Sequence, residues 1–344
     1  MPFRVGLTRD FLKSDGTVGL GDIRLDLLDA APGVAWEFLP DRAPELTPEL
    51  IAGYDAIILL GSRVTAATLT GADRLAVIAR FGVGYDNVDV DACTEHGVLL
   101  SITPDAVRRP MATVVLTYIL ALSLRLLEKD RLTRAGGWAD KLDYMGFGLT
   151  GRTVGIIGFG NIGREVVKLA TPLELTFIAA DPHVDPGIAA AIGVDLVDLE
   201  TLLTTADFVV TLCALTPETH HLLNAERLAL MKPTAFLISV ARGPVVDQAA
   251  LTVALQRKAI AGAGLDVFER EPVDPADPIL SLDNVIVSPH ALCWTDEWVS
   301  RSGVSVGESV LAVAAGQAPG FVVNRNAIDT PLVQEKLRRY REGA

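Results

Sequence analysis

Short apolar runs alternate with helix-like stretches along the whole chain. Five such runs lie in its first part, at residues 3–8, 35–39, 56–60, 75–81 and 98–102. Six more follow, at residues 153–158, 176–180, 208–213, 235–240, 262–267 and 285–288. Near-continuous apolar strings are typical of parallel strands that helices cover on both faces. The pattern therefore predicts an α/β protein with two series of parallel strands, the second matching a doubly wound dinucleotide fold.

Two long helical stretches set the domain organisation. The first is predicted over residues 105–134 and the second over residues 296–315. No predicted strand accompanies the second helix. We therefore expect a discontinuous first domain that the C-terminal helix closes by crossing back. This predicts a first domain formed by residues 1–102 and 293–344, with a second domain at residues 103–292 inserted between its two parts.

Length, charge and cysteine content narrow the class of protein. A single hydrophobic core stops growing at roughly 250–300 residues, so 344 residues suggest two domains. The net charge of −13 argues against a nucleic-acid partner, because binding of nucleic acid needs clustered Lys and Arg. It does not argue against a small acidic substrate, which a local basic patch could bind. Three widely spaced cysteines without a CxxC pair predict neither a disulfide framework nor a metal site, and fit a reducing compartment.

The sequence also predicts a cytoplasmic protein without a membrane segment. Its N-terminus lacks the apolar core and the cleavage site of a signal peptide. The longest apolar stretch, residues 111–124, has 14 residues, fewer than the ~20 that span a bilayer. We interpret this stretch as part of a buried helix.

A glycine-rich turn marks a candidate cofactor site. Gly158, Gly160 and Gly163 form a GxGxxG motif that directly follows a predicted strand and opens a helix. Such glycines permit a tight turn, a close approach of the backbone to a pyrophosphate, and packing of helix on strand. Asp181 ends the next strand, 18 residues after Gly163, where a carboxylate accepts hydrogen bonds from ribose hydroxyls and repels a 2′-phosphate. The sequence therefore predicts NAD rather than NADP.

Four polar side chains follow the last three predicted strands. Arg242 follows one strand, Asp266 lies at the end of the next with Glu271 shortly after it, and His290 follows the last. In open α/β sheets ligands bind at the carboxyl ends of the strands, so these side chains are candidates for the chemistry.

The chemistry of these residues is coherent. The Arg242 guanidinium can hold a carboxylate with two hydrogen bonds and polarise an adjacent oxygen. His290 can give a proton to a carbonyl oxygen and take it back, while Glu271 fixes its tautomer and favours its protonated form. With a nicotinamide, the set describes hydride transfer between a 2-oxo acid and a 2-hydroxy acid.

At these residues the sequence resembles the D-isomer-specific 2-hydroxyacid dehydrogenase family. Seven motifs in the same order carry the resemblance over nearly the whole chain. They are residues 80–89, 151–163, 215–219, 231–233, 241–243, 265–268 with 271–272, and 288–290.

The resemblance implies the architecture and the partners. It implies a Rossmann NAD-binding domain inserted into a flavodoxin-like substrate domain, with the active cleft between them. It also implies a homodimer built around the nucleotide domain, in which the helix near residues 105–130 takes part. NAD and a small 2-hydroxy or 2-oxo acid are the implied ligands.

The resemblance also implies roles for single residues. Arg242 binds the substrate carboxylate, His290 is the acid/base and Glu271 is its partner. The backbone amides of Val83 and Gly84 grip the carboxylate. Other implied contacts are with the cofactor, through Asn161, Ile162, Cys213, Val240, Ala241 and, at the nicotinamide carboxamide, Asp266. For Cys213, a small buried strand residue is an equal alternative to a reactive role.

Departures from the family pattern concern the substrate rather than the chemistry. After the histidine, residues 291–294 replace a common glycine-rich run, and Trp294 with Phe81 and Tyr85 could wall a pocket for a larger substrate or simply pack in the core. Arg108, in an Arg-Arg pair, could meet a phosphate or second carboxylate, or be a solvated charge.

Other activities stay open on this scaffold. Formate oxidation is disfavoured, because those dehydrogenases pair the histidine with Gln where this chain has Glu271. A 3-phosphoglycerate dehydrogenase is possible. The alternative to an enzyme is an NAD(H)-sensing binding protein or corepressor without turnover.

Overall fold

Two compact units make up the chain. The structure is a computed structural model and describes residues 2–343. One unit combines residues 2–107 with residues 294–343, and the other comprises residues 108–293. The sequence places the domain boundaries at 102/103 and 292/293, and as limits of functional domains these stay a prediction.

The first unit contains a five-stranded parallel sheet in the order β2-β1-β3-β4-β5. This is the flavodoxin-like strand order of a doubly wound sheet. Its strands are β1 (Phe3–Leu7), β2 (Val34–Phe38), β3 (Ala56–Leu59), β4 (Val77–Arg80) and β5 (Leu99–Ser101). Its helices are α1 (Asp26–Asp29), α2 (Pro48–Ile51), α3 (Val90–Glu95), α11 (Asp296–Ala314) and α12 (Pro331–Gly343). All four residues of β3 are buried, as expected for a strand covered on both faces.

The second unit contains a seven-stranded parallel sheet in the order β12-β11-β10-β9-β6-β7-β8. Its strands are β6 (Thr153–Ile157), β7 (Thr176–Ala180), β8 (Asp195–Leu196), β9 (Phe208–Thr211), β10 (Phe236–Ser239), β11 (Gly262–Leu265) and β12 (Val285–Val287). Its helices are α5 (Leu126–Arg134), α6 (Asn161–Ala170), α7 (Pro186–Ala190), α8 (Leu199–Thr205), α9 (Ala225–Leu228) and α10 (Gln248–Gln256), with most of α4 (Pro104–Ser123). The strand order reverses between β6 and β9, and ligands bind at such a switch point. The predicted fold class, two doubly wound domains, is confirmed.

Two details of the sequence interpretation were wrong. The second sheet has seven strands rather than six, because β8 is two residues long and one of them is Asp195, so no apolar run announces it. The helix predicted over residues 105–134 is two helices, because Arg125 between them takes a left-handed conformation with φ of 52°. The Arg125 side chain stabilises this break by donating hydrogen bonds to Glu128 and to the carbonyl of Asp143.

Helix α4 is long and apolar enough to cross a membrane by length and composition alone. It has 20 residues, and 61% of its most apolar window is buried inside the protein. Such burial is typical of a core helix, in agreement with its interpretation as a buried helix.

Candidate active site

The glycine-rich turn between β6 and α6 is shaped by three different steric demands. Gly158 has φ of +90°, and a Cβ at this position would lie 2.5 Å from backbone atoms of Cys213. A Cβ on Gly163 would lie 3.1 Å from the Phe159 ring, so this glycine allows close packing. A Cβ on Gly160 would meet no heavy atom within 4 Å. The space beside Gly160 is therefore the place where the turn can admit a ligand.

The start of helix α6 presents unused backbone donors beside that space. Gly160 is its N-cap, and no side chain caps the helix. The amides of Asn161 and Ile162 donate no hydrogen bond to the described residues. Open amides and the positive end of the helix dipole together bind phosphate groups. The turn therefore fits the pyrophosphate of a dinucleotide.

Asp181 directly follows β7, on the same edge of the sheet. Its Oδ2 accepts a hydrogen bond from the Phe159 amide at 2.8 Å, and its Oδ1 accepts one from the His183 amide at 2.9 Å. A carboxylate oxygen has two lone pairs, so each oxygen retains one for a ribose hydroxyl. The first contact also ties Asp181 to the glycine-rich turn.

Cys213 lies at the switch point between β6 and β9 as a neutral thiol. Burial, more than the nearby charge of Asp181, raises its pKa to about 11. Since the thiolate is the reactive form, this environment favours a packing residue against Gly158 over a nucleophile. Val240 and Ala241, which follow β10, are buried and half-buried respectively.

Arg242 lies in a tightly packed connection after β10. A Cβ on the next residue, Gly243, would lie 1.8 Å from the carbonyl oxygen of Phe268, so only glycine fits there. This contact brings the segment that carries Arg242 against the segment that carries Glu271. The Arg242 guanidinium donates to the carbonyl of Ala241 at 2.8 Å.

His290 and Glu271 form the pair that the sequence predicts. The Nδ1 atom of His290 lies 2.7 Å from Oε2 of Glu271. The other carboxylate oxygen, Oε1, accepts a hydrogen bond from the amide of Phe268 at 3.0 Å. Because an ionised carboxylate only accepts, Nδ1 carries the hydrogen and Nε2 is the nitrogen that can exchange a proton with a substrate.

The environment of Glu271 favours its ionised form. Burial by itself raises the pKa of this carboxyl. Hydrogen bonds from His290 and Phe268, with the charges of His290 and Arg242, outweigh burial and lower the pKa below its ordinary value of 4.5. Glu271 is therefore a carboxylate near neutral pH, as the role of partner to a protonated histidine requires.

Asp266 is almost fully buried, with 1% of its surface exposed. Its Oδ1 accepts hydrogen bonds from the Ser288 hydroxyl at 2.6 Å and from the amides of Ala291 and Leu292 at 3.1 and 3.3 Å. These amides follow His290, whose own φ of 54° is uncommon for a residue other than glycine. Asp266 thus stabilises the turn that presents the histidine. Sequence reasoning missed this role, although Ser288 stands in the motif that ends at His290.

In the first unit, the loop after β4 offers the amides that the sequence predicts for a carboxylate. The amides of Val83 and Gly84 donate no hydrogen bond to the described residues. The carbonyl of Gly82 accepts from the amide of Thr103 at 2.9 Å and so holds the start of this loop. Two open, half-buried amides in succession are suited to an anion.

The aromatic residues of this unit differ in exposure. Phe81 is buried and packs edge-on against Phe11 and Trp298, with ring centroids 5.2 and 5.3 Å apart. Trp294 stacks on Trp298 and is 47% exposed, and Tyr85 is 39% exposed. Phe81 is therefore a core residue, whereas Trp294 and Tyr85 have surface available for a ligand.

The Arg-Arg pair faces a buried carboxylate. Arg109 Nη1 lies 3.3 Å from Oε1 of Glu165, and Arg108 Nε lies 3.7 Å from Oε2 of the same residue. Glu165 lies on α6 and is 8% exposed. The pair therefore neutralises an acidic residue of the cofactor-binding helix, which leaves no observation in favour of a substrate role for Arg108.

Comparisons with known proteins point to one family of dehydrogenases. The family model for the NAD-binding domain of D-isomer specific 2-hydroxyacid dehydrogenases matches residues 116–291. A glyoxylate reductase of Thermococcus onnurineus is 37% identical over 86% of this chain and 90% of its own length. A D-3-phosphoglycerate dehydrogenase of Methanocaldococcus jannaschii is 38% identical over 84% of this chain but only 54% of its own.

A solved structure is similar as well. It is a D-lactate dehydrogenase of Aquifex aeolicus, complexed with NAD and lactic acid, with a TM-score of 0.79 and 25% identity. It covers 91% of this chain and 96% of that one.

The fold and the site together define a two-domain dehydrogenase that uses a dinucleotide. The chain belongs to the D-isomer specific 2-hydroxyacid dehydrogenase family. It is an NAD-dependent oxidoreductase that acts on the CH–OH group of 2-hydroxy acids or the corresponding 2-oxo acids.

Proposed function

We propose that this enzyme reduces a small 2-oxo acid with NADH, with Arg242 holding the carboxylate and His290 giving the proton. The observation that carries this proposal is the 2.7 Å contact between His290 Nδ1 and the Glu271 carboxylate. Because the carboxylate engages Nδ1, Nε2 is the nitrogen of the charged imidazole that can give its proton to a substrate. A developing alkoxide needs such a proton donor. Glyoxylate is the first substrate to test, since several curated relatives bear the name glyoxylate reductase.

Two groups of donors are proposed to bind the substrate. The guanidinium of Arg242 binds the substrate carboxylate and polarises the neighbouring carbonyl oxygen. In the first unit, the amides of Val83 and Gly84 are proposed as hydrogen-bond donors to substrate. Because the net charge of the protein is −13, binding of an anion must depend on such local donors.

The cofactor is held by the second unit. Gly160, Asn161 and Ile162 are proposed to bind the pyrophosphate, and Asp181 the ribose hydroxyls. The nicotinamide, when bound, supplies the hydride for reduction. Asp266 Oδ2, which accepts no hydrogen bond from the described residues, is proposed to accept one from the carboxamide.

The test is a substrate panel with both cofactors. Purified protein is mixed with NADH or NADPH and with glyoxylate, pyruvate, hydroxypyruvate and phosphohydroxypyruvate, and absorbance at the nicotinamide band is followed. We expect saturable oxidation of NADH with at least one of these acids, and its loss in His290→Ala with NADH binding nearly intact. NADH binding without turnover of any 2-oxo acid would instead favour an NAD(H)-sensing protein.

We also propose that the chain forms a homodimer through the segment between α4 and β6. Large apolar side chains are exposed in this segment far more densely than elsewhere in the described chain. They include Leu124, Leu126, Trp138, Leu142 and Met145, which are 52–76% exposed. A concentration of exposed apolar side chains in one segment is typical of a protein–protein interface.

The proposed dimer is tested by charge substitution. Leu142→Glu places a charge where the side chain is 76% exposed, so it should leave the fold intact and convert the dimer to a monomer in sedimentation velocity. Leu332→Glu, at an exposed leucine of α12, is the matched control and should remain dimeric. A monomeric wild-type protein would contradict the proposal.

The cytoplasmic location and the lack of nucleic-acid or membrane partners remain proposals that rest on sequence.

A further inference from the structure

A buried tyrosine lies behind Asp266 in the second unit. Tyr118 of α4 is 1% exposed, and its hydroxyl lies 2.6 Å from the Ser288 hydroxyl. The Ser288 hydroxyl is in turn 2.6 Å from Oδ1 of Asp266. Gly264 makes room for this arrangement, because a Cβ there would lie 2.4 Å from the Tyr118 ring.

The direction of the hydrogen bonds follows from the acceptor at the end. An ionised Asp266 only accepts, so Ser288 gives its single hydrogen to Oδ1. Tyr118 must then donate to Ser288. Burial raises the pKa of Tyr118 above its ordinary value of 10.0, although the contact with Ser288 acts in the opposite direction. The phenol therefore stays protonated near neutral pH and is a permanent donor.

The chain of three side chains fixes one oxygen of a buried carboxylate. Oδ1 of Asp266 accepts hydrogen bonds from the Ser288 hydroxyl and from the two amides that follow His290. These three donors fully occupy this oxygen. Oδ2 accepts no hydrogen bond from the described residues and is left for a donor on a bound ligand. Consecutive hydrogen bonds in a buried site polarise and strengthen one another, so the hydroxyl at the far end affects the carboxylate.

We propose that Tyr118 is a positioning residue for the nicotinamide, which acts through Ser288 to hold Asp266 with Oδ2 directed to the carboxamide amino group. This inference rests on the proposed role of Asp266 at the cofactor. It assigns a function in cofactor binding to a side chain within residues 111–124, a stretch that the sequence pattern indicates only as part of a buried helix.

The experiment compares two ligands that differ in the nicotinamide. Binding of NADH and of ADP-ribose, which lacks the nicotinamide, is measured by calorimetry for the wild-type protein and Tyr118→Phe. We expect NADH affinity to fall about tenfold, which is the effect of losing one buried hydrogen bond, while ADP-ribose affinity stays within about twofold. Ser288→Ala should give the same selective loss, and the double variant no more than either single one.

The control removes a similar hydroxyl elsewhere. The Tyr340 hydroxyl lies 3.0 Å from Oδ1 of the buried Asp55 and 2.9 Å from the carbonyl oxygen of Arg74, both in the first unit, so Tyr340→Phe should leave both affinities unchanged. If Tyr118→Phe does not fold, Ser288→Ala decides the question.

Two results would overturn the inference. Equal losses of NADH and ADP-ribose affinity would show a purely structural role, and an unchanged NADH affinity would show no role. Failure of the proposed function looks different. It would appear as no turnover of any 2-oxo acid, whether or not the variants lose affinity for NADH and for ADP-ribose to different extents.

Discussion

Gly158 and Gly160 stand two residues apart in the same turn, yet the structure predicts opposite consequences when each becomes alanine. At Gly158 the new Cβ would lie 2.5 Å from the Cys213 backbone, with φ at +90°. The left-handed backbone costs roughly 1–2 kcal/mol and the forced displacement of a packed strand end roughly 1–3 kcal/mol. Gly158→Ala should therefore lower the free energy of unfolding by about 2–5 kcal/mol.

At Gly160 the same methyl group meets no protein atom within 4 Å, and φ is −80°. The only cost to the fold is a weaker N-cap for α6, about 1 kcal/mol or less. The methyl group would instead occupy the space proposed for the pyrophosphate. Gly160→Ala should therefore lower NADH affinity by at least about tenfold, or about 1.4 kcal/mol, in a protein of nearly normal stability.

The two effects are separated by two measurements on each variant. Thermal unfolding followed by circular dichroism, without cofactor, should show a fall in Tm of about 4–20 °C for Gly158→Ala and little change for Gly160→Ala. Quenching of protein fluorescence by NADH gives the affinities. A Gly160→Ala variant that unfolds as readily as Gly158→Ala, or that binds NADH as tightly as the wild-type protein, would contradict these two assignments.

Three further predictions concern charged groups. Glu271→Gln should lower kcat by about tenfold or more, because the charged imidazole loses its carboxylate partner. The pKa of Glu271 is lowered in the folded state, so the stability that its charge contributes is complete above pH 4.5 and is lost in acid. The difference in free energy of unfolding between the wild-type protein and Glu271→Gln, measured with urea, should accordingly shrink below pH 4.5. A difference that grows as the pH falls would contradict this. Asp181→Asn should narrow the preference for NADH over NADPH by about tenfold in kcat/KM; an unchanged ratio would place the ribose elsewhere. Lys336 of α12 is buried, which lowers its pKa from 10.5 to about 8, so the unfolded chain holds this proton more tightly. Stability should therefore rise between pH 8 and pH 10.5, and Lys336→Met should remove part of that rise.

The motifs of the sequence predicted the local chemistry because that chemistry depends on short segments. The strand, glycine-rich turn and helix around Gly160 are contiguous, and Asp181 follows the very next strand. Arg242, Glu271 and His290 each follow a strand of the same sheet, and parallel strands end at one edge. The strand at Asp195 and the helix break at Arg125 were missed, because neither has a local apolar or glycine signal.

The residue pattern alone predicts the fold class, the cofactor and three candidates for catalysis, since periodicity and position at strand ends along the chain encode each of them. Only the three-dimensional fold reveals which side chains in and around the site are already engaged. It places Arg108 and Arg109 against the Glu165 carboxylate, buries Cys213 in a way that favours the neutral thiol, and engages Oδ1 of Asp266 but not Oδ2 within the described residues. Tyr118 and Ser288 are 170 residues apart along the chain. No periodicity records such a contact, because it arises only when α4 packs on β11 at Gly264.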